Sequence, residues 1–153
     1  MSSAGATDPI PVPFAQYSTE VPERFVDYNG HMNDAAYAQV LTDANELFLD
    51  ALGLSADYRE RTGNAMYTVE MTIKYLHEVG ADDVIAASTQ VASADAKRLR
   101  VHTTLSVGDT DVATGDSLYL HVDTVAGKVT AFPDDRAAVL ASAQVHDDEP
   151  TSD

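Results

Sequence analysis

Hydrophobic positions change their spacing along this chain. Between residues 33 and 52 they recur every three or four places (Ala36, Tyr37, Val40, Leu41, Ala44, Leu47, Phe48, Ala51, Leu52), which is the stripe of one long amphipathic helix. Asn33 or Asp34 can cap its start, and Gly53 supplies its stop. From Ala65 the period falls to two. The run 66–76 places Tyr67, Val69, Met71, Ile73 and Tyr75 on one face of a strand and Thr68, Glu70, Thr72 and Lys74 on the other. Further strands are predicted over 84–92, 99–107, 112–125 and 128–132, the last cut by Pro133. A first strand over 17–26, a helical turn over 55–63 closed by Gly63 and a C-terminal helix over 134–144 complete the pattern. One strand, one long helix and then consecutive strands joined by short turns imply an α+β domain, an antiparallel sheet with the helix on one face.

The ends differ from this middle. Residues 1–14 are small, polar and proline-punctuated, and 147–153 are acidic. Both are expected to be flexible, leaving 15–146 as one domain. With 153 residues and 44% apolar content the chain can bury a real core. It has no run of 18 apolar residues and no basic-then-apolar leader, so no membrane association is expected and a cytoplasmic location is the simple reading. The absence of cysteine removes disulfides and a cysteine nucleophile.

Charge alters the picture more. Asp and Glu number 25 against 9 Lys and Arg, a net charge of −16. No nucleic-acid partner is expected, since no basic patch could neutralise its phosphates. Its acidic, lysine-poor composition suits a halophilic source, since salt would screen the self-repulsion; an ordinary acidic protein is the alternative.

Chemistry concentrates in Asp27-Tyr28-Asn29-Gly30-His31-Met32-Asn33, just before the long helix. There an acid, two amides and an imidazole meet the unpaired N–H groups of a helix start, the minimum equipment for acyl chemistry. A second concentration is basic: Lys97, Arg98 and Arg100.

With Asp34-Ala35-Ala36-Tyr37 following it, the 27–33 segment resembles the loop of the hot-dog fold thioesterases, in the branch of 4-hydroxybenzoyl-CoA-like and acyl-carrier thioesterases. The resemblance covers roughly 17–133 and includes the strand from Tyr67 to Leu76. Around the loop and Asp95-Ala96-Lys97-Arg98-Leu99 the chain is similar to family members acting on betainyl-CoA. The resemblance implies a sheet wrapped around the helix, a homodimer joined strand edge to strand edge or a homotetramer, and an active site between subunits. It implies hydrolysis of a small acyl-CoA to acid and CoA, with acyl-CoA as the partner molecule and no cofactor beyond the substrate's own CoA.

On that reading Asp27 is nucleophile or general base, against the alternative of a turn aspartate bonding nearby amides. His31 polarises the carbonyl or orients Asn29 and Asp27. Asn29 positions water or substrate, and Asn33 caps the helix beside the developing oxyanion. Glu70 is a second-choice acid, in some hot-dog enzymes supplied by the partner subunit. Gly30 permits a turn with its N–H near a ligand. Tyr37 and Tyr67 are wall or core, and Lys97, Arg98 and Arg100 are candidates for the CoA phosphates. No metal is expected, because histidines 31, 77, 102, 121 and 146 show no ligand spacing. A hot-dog hydratase or dehydratase, and a non-catalytic acyl-CoA binding module, are the alternative functions.

The charge reading has a direct check. Raising salt from about 0.01 M to 1 M shortens the screening length from roughly 30 Å to roughly 3 Å. The melting temperature is expected to rise over that range; a fall would reject the halophilic reading.

Overall fold

The computed structural model describes residues 10–144. The expectations for residues 1–9, His146 and the acidic tail lie outside them. In chain order the elements are β1 (Phe14–Glu20), a 3-10 turn (Glu23–Phe25), α1 (Asp34–Ala51), α2 (Ala56–Thr62), β2 (Asn64–Tyr75), β3 (Val84–Ala94), β4 (Arg98–Val107), β5 (Thr110–Asp123), β6 (Lys128–Val129) and α3 (Asp134–Ala143). The strands pair antiparallel in one sheet of order β1-β3-β4-β5-β2, with β6 against β5. The sheet packs on the long helix, the hot-dog arrangement.

The helix forms where its stripe demanded. Ala36, Tyr37, Val40, Leu41, Ala44, Phe48 and Leu49 are buried, on the inner face of the sheet. Two apolar clusters result. Phe48, Leu49 and Leu52 join Leu99, Val101, Tyr119 and α3; Tyr37, Val40 and Leu41 join Ile85, Leu105, Val112 and Ala113. Between them Asn45, itself buried, donates to Ser117 at 3.3 Å and accepts from Thr103 at 2.8 Å, and Thr103 reaches Thr89 at 3.4 Å. Each buried polar group there has a partner, as burial requires. Buried His121 is likewise held, Nδ1 by the Thr130 carbonyl and Nε2 by the Tyr58 hydroxyl.

Two expectations are corrected. The first strand runs Phe14–Glu20, not 17–26, because Pro22 has no N–H for the ladder and the chain turns through Glu23–Phe25. In β2 the strict alternation fails. Its pairing with β5 shifts between Thr68 and Glu70, so Val69 is an extra residue. Met71 and Ile73 keep the inward face, but before the bulge Met66 points to the core and Tyr67 is 48% exposed on the other side. A single inserted position reverses the facing of the strand's first half.

Strand β2 ends the sheet, and its Tyr67, Val69 and Tyr75 side chains are about half exposed. Toward the centre, Gly115 of β5 lies under Leu41; a Cβ there would stand 2.8 Å from both Leu41 δ carbons. Leu41 is fully buried, so its displacement would disturb its core neighbours. Gly115→Ala is therefore expected to lower the unfolding free energy by about 1–3 kcal/mol, the cost of overpacking a tight core. Urea unfolding measures it, and an unchanged midpoint would show that the helix shifts freely over the sheet.

Candidate active site

The loop before α1 is closed by backbone pairing from both sides. Val26 bridges Met32, and His31 bridges Gly80. The Met32 N–H donates to the Val79 carbonyl at 2.8 Å, and the Asp27 N–H to the His31 carbonyl at 2.8 Å. Gly30 sits at φ +79°, a left-handed conformation that a side chain would strain. Its N–H donates to the Asp27 carbonyl at 3.0 Å, so that N–H is engaged within the loop and is not offered to a ligand. Asp27 Oδ1 accepts from the N–H groups of Asn29 at 2.9 Å and His31 at 3.2 Å. No other partner of the carboxylate appears among the described residues. Oδ1 therefore does the work of a turn aspartate, and Oδ2 accepts no hydrogen bond among the described residues.

Asn33 joins this loop to the helix. Its side-chain oxygen accepts from the Ala36 N–H at 3.0 Å, and its amide nitrogen donates to the Phe25 carbonyl at 2.9 Å. Both functions are spent on structure. The N–H groups of Asp34 and Ala35 in the first turn have no protein acceptor among the described residues, and a helix start concentrates partial positive charge at such groups.

A cavity of about 410 Å³ opens here, lined by Asp27, Asn29, His31, Asp34, Tyr37, Tyr75 and the segment after β2 that includes His77 and Glu78. His31 Nε2 lies 3.3 Å from a Glu78 carboxylate oxygen, and both side chains are well exposed. The Tyr37 hydroxyl donates to the His77 carbonyl at 3.3 Å, and that of Tyr75 to the Asp34 carbonyl at 3.4 Å. The two rings meet edge to face, 5.0 Å between centres at 83°. Burial first, and then the Asp34 charge, push the Tyr37 hydroxyl up from its ordinary pKa, which keeps it a donor.

Asp27, Asn29, His31 and Tyr37 thus come together. Glu70, Tyr67 and the basic cluster do not join them within one chain. Tyr75 ends β2 at the cavity, whereas Glu70 pairs opposite Leu118, and Leu118 opposite Arg100. Five strand positions separate Tyr75 from Glu70, roughly 17 Å at about 3.3 Å each. Glu70 and Arg100 share a small cavity of about 130 Å³ on the sheet's outer face. Arg98 and Arg100 line another of about 260 Å³ with Asp95. There Arg98 Nε donates to Asp95 at 2.7 Å, while Lys97 and Arg100 carry no ion pair among the described residues. The Lys97 N–H and then the Arg98 guanidinium hold the Asp95 carboxyl below its ordinary pKa.

Asp34, Tyr75, His77 and Glu78 are the lining residues that sequence reasoning missed. Asp34 adjoins the loop, and its sequence reading is only that of a helix cap. Tyr75, His77 and Glu78 carry no local mark and meet the loop where the segment ending at Gly80 pairs with His31. Among the described residues no group of three or more His, Asp or Glu is disposed to hold a metal ion, and no helix is long and apolar enough to cross a membrane.

The chain is similar to known proteins. A protein from Agrobacterium fabrum named L-carnitine dehydrogenase/betainyl-CoA thioesterase is 39% identical over 92% of this chain, and the match spans only 29% of that protein's length. A betainyl-CoA thioesterase of Pseudomonas aeruginosa is 32% identical over 85% of this chain and 84% of its own. A Staphylococcus aureus protein solved in complex with CoA superposes with a TM-score of 0.80 at 25% identity, covering 94% of both chains. The family model of the thioesterase-like superfamily matches residues 21–140, and the chain belongs to that family.

Proposed function

We propose that this protein hydrolyses a small acyl-CoA thioester to the free acid and CoA, with Asp27 acting on the carbonyl. The observation that carries the reading is the division of labour within the Asp27 carboxylate, one oxygen fixed by two loop N–H groups and the other free beside the cavity and the helix start. A carboxylate so held is positioned without being consumed by its supports. Oδ2 either attacks the thioester carbon or takes a proton from the attacking water. The oxyanion that forms falls to the Asp34 and Ala35 N–H groups and to His31. On either route the sulfur leaves as CoA and takes up the proton. On the base route the water oxygen ends in the acid. On the nucleophilic route an acyl–Asp27 anhydride forms, and water attacking its Asp27 carbon leaves the water oxygen in Asp27 and releases the acid with the former Asp27 oxygen. Betainyl-CoA is the first candidate substrate, since the relatives at 32–39% identity carry that name.

Two copies joined through β2 would complete the site. The edge of β2 leaves backbone groups unpaired beside half-exposed Tyr67, Val69 and Tyr75, a surface that calls for cover. Antiparallel β2-to-β2 pairing about a two-fold axis brings the start of one copy's strand against the end of the other's. In that pairing Lys97 and Arg98 of the second copy, level with its Tyr67, come nearer the Tyr75 end and the Asp27 cavity, where they can take the phosphates of an extended CoA arm, while Glu70 stays close to the two-fold axis. The basic cluster offsets the repulsion between CoA phosphates and a chain of −16.

Asp27→Asn keeps the shape and removes the charge. Turnover of an acyl-CoA panel is expected to fall at least about a hundredfold, and near-normal rates would end this reading. Single turnover in ¹⁸O-water separates the two routes, since only nucleophilic attack leaves label in the Asp27 side chain.

The Arg98→Ala/Arg100→Ala variant is expected to raise KM with little change in kcat, because phosphates bind alike in ground and transition states. A short thioester lacking the nucleotide should be unaffected. Mixing this variant with Asp27→Asn under subunit exchange should restore activity, as the mixed dimer holds one intact site. Failure of two exchanging subunits to complement would place cluster and carboxylate in separate sites.

A further inference from the structure

The corner made by Tyr37 and Tyr75 has a chemistry of its own. Two rings at 83° present a walled angle of aromatic surface, one ring buried and the other half exposed. Both line the cavity that holds Asp27. The same wall carries three carboxylates, Asp27, Asp34 and Glu78, and neither lysine nor arginine. Negative charge on the acyl group would be repelled there. A hydrocarbon acyl group would fit the rings but gain nothing from the carboxylates. A primary ammonium would draw them into hydrogen bonds. A quaternary ammonium matches every part: it has no N–H to satisfy, a greasy surface for the ring faces and a diffuse positive charge for the carboxylates.

We infer that Tyr37 and Tyr75, with Glu78 and Asp34 beside them, form the specificity subsite for a quaternary-ammonium acyl group. The inference rests on the thioesterase reading above, and it assigns residues to a discrimination that the relatives' names alone do not explain. In such a substrate the cation sits one methylene from the thioester carbon, so the subsite must adjoin the attacking group. Asp27 and the tyrosine corner share one cavity wall, which meets that demand. The arrangement also separates charges usefully: carboxylates face the cation while the helix start faces the oxyanion. Glu78 acts from beside His31, 3.3 Å away, so its contribution to binding the cation must be distinguished from orienting that imidazole.

The test compares trimethylammonioacetyl-CoA with 3,3-dimethylbutanoyl-CoA, which puts carbon in place of the quaternary nitrogen at the same shape. The wild-type protein is expected to favour the cation at least about tenfold in kcat/KM, in line with a partly desolvated cation on aromatic faces and carboxylates. Tyr75→Leu and Glu78→Gln should each pull the ratio toward one while leaving the neutral thioester within about threefold of wild type. Glu78 is exposed, so Glu78→Gln remains informative should Tyr75→Leu fail to fold. A wild-type ratio near one, or a ratio unmoved by both variants, overturns the subsite. Equal loss on both substrates in Glu78→Gln assigns Glu78 to His31 and removes it from the subsite. If the wild-type protein turns over neither thioester nor any of the acyl-CoA panel, the hydrolase reading itself fails, an outcome distinct from hydrolysis without preference.

Discussion

The side-chain amide of Asn33 is the joint on which the site depends. With one end it accepts the Ala36 N–H and starts α1; with the other it donates to the Phe25 carbonyl and fixes the chain entering the loop. Two directions of backbone are thereby tied through one group. Asp27, Gly30 and His31 hang between those ties, and the first-turn N–H groups face a fixed neighbourhood. Neither aspartate nor serine can replace it fully, since the joint needs a donor and an acceptor held a fixed distance apart. The hydrophobic stripe of α1 would make a helix without Asn33, but not one that begins at a defined residue beside Asp27.

Much of this was legible in the chain. The α1 stripe, the Asn33 cap, the Gly63 stop and the period-two runs are local signals, and each element lies within a few residues of its expected bounds. The loop motif pointed to Asp27 through resemblance, and the structure adds how its two oxygens differ. What could not be read is non-local. Val69 bulges because the β2–β5 pairing skips it, and no residue type in 67–70 announces the skip. Tyr75, His77 and Glu78 join the cavity because the segment ending at Gly80 pairs with His31, a contact across nearly fifty positions that periodicity cannot see. Arg98 and Arg100 do share a strand face, as alternation required, but Asp95 already engages Arg98.

The Asp27 cavity lies at the Tyr75 end of edge strand β2, whereas the basic cluster starts β4, two strands further in and level with Tyr67 and Glu70. Within one chain the sheet keeps them apart; the proposed two-fold partner is the arrangement that would let one site draw on both. Half-exposed aromatic and β-branched side chains along that edge are consistent with a strand built to be covered. The bulge at Val69 matters here as well, since it sets which side chains of β2 face each way on either side of the strand's middle.

One interior feature has a mechanical meaning. Apolar contact is non-directional, so a greasy helix on a greasy sheet has many nearly equal seats along its axis. The hydrogen bonds of Asn45 with Thr103 and Ser117 admit one. Asn45 lies eleven residues from the start of α1, roughly 17 Å at about 1.5 Å rise per residue, and it acts as an indexing pin. A slip of one residue at that point would carry the helix start, and everything hung from it, out of line with the carboxylate. Precision at one end of the rod is thus set by a polar notch near its other end.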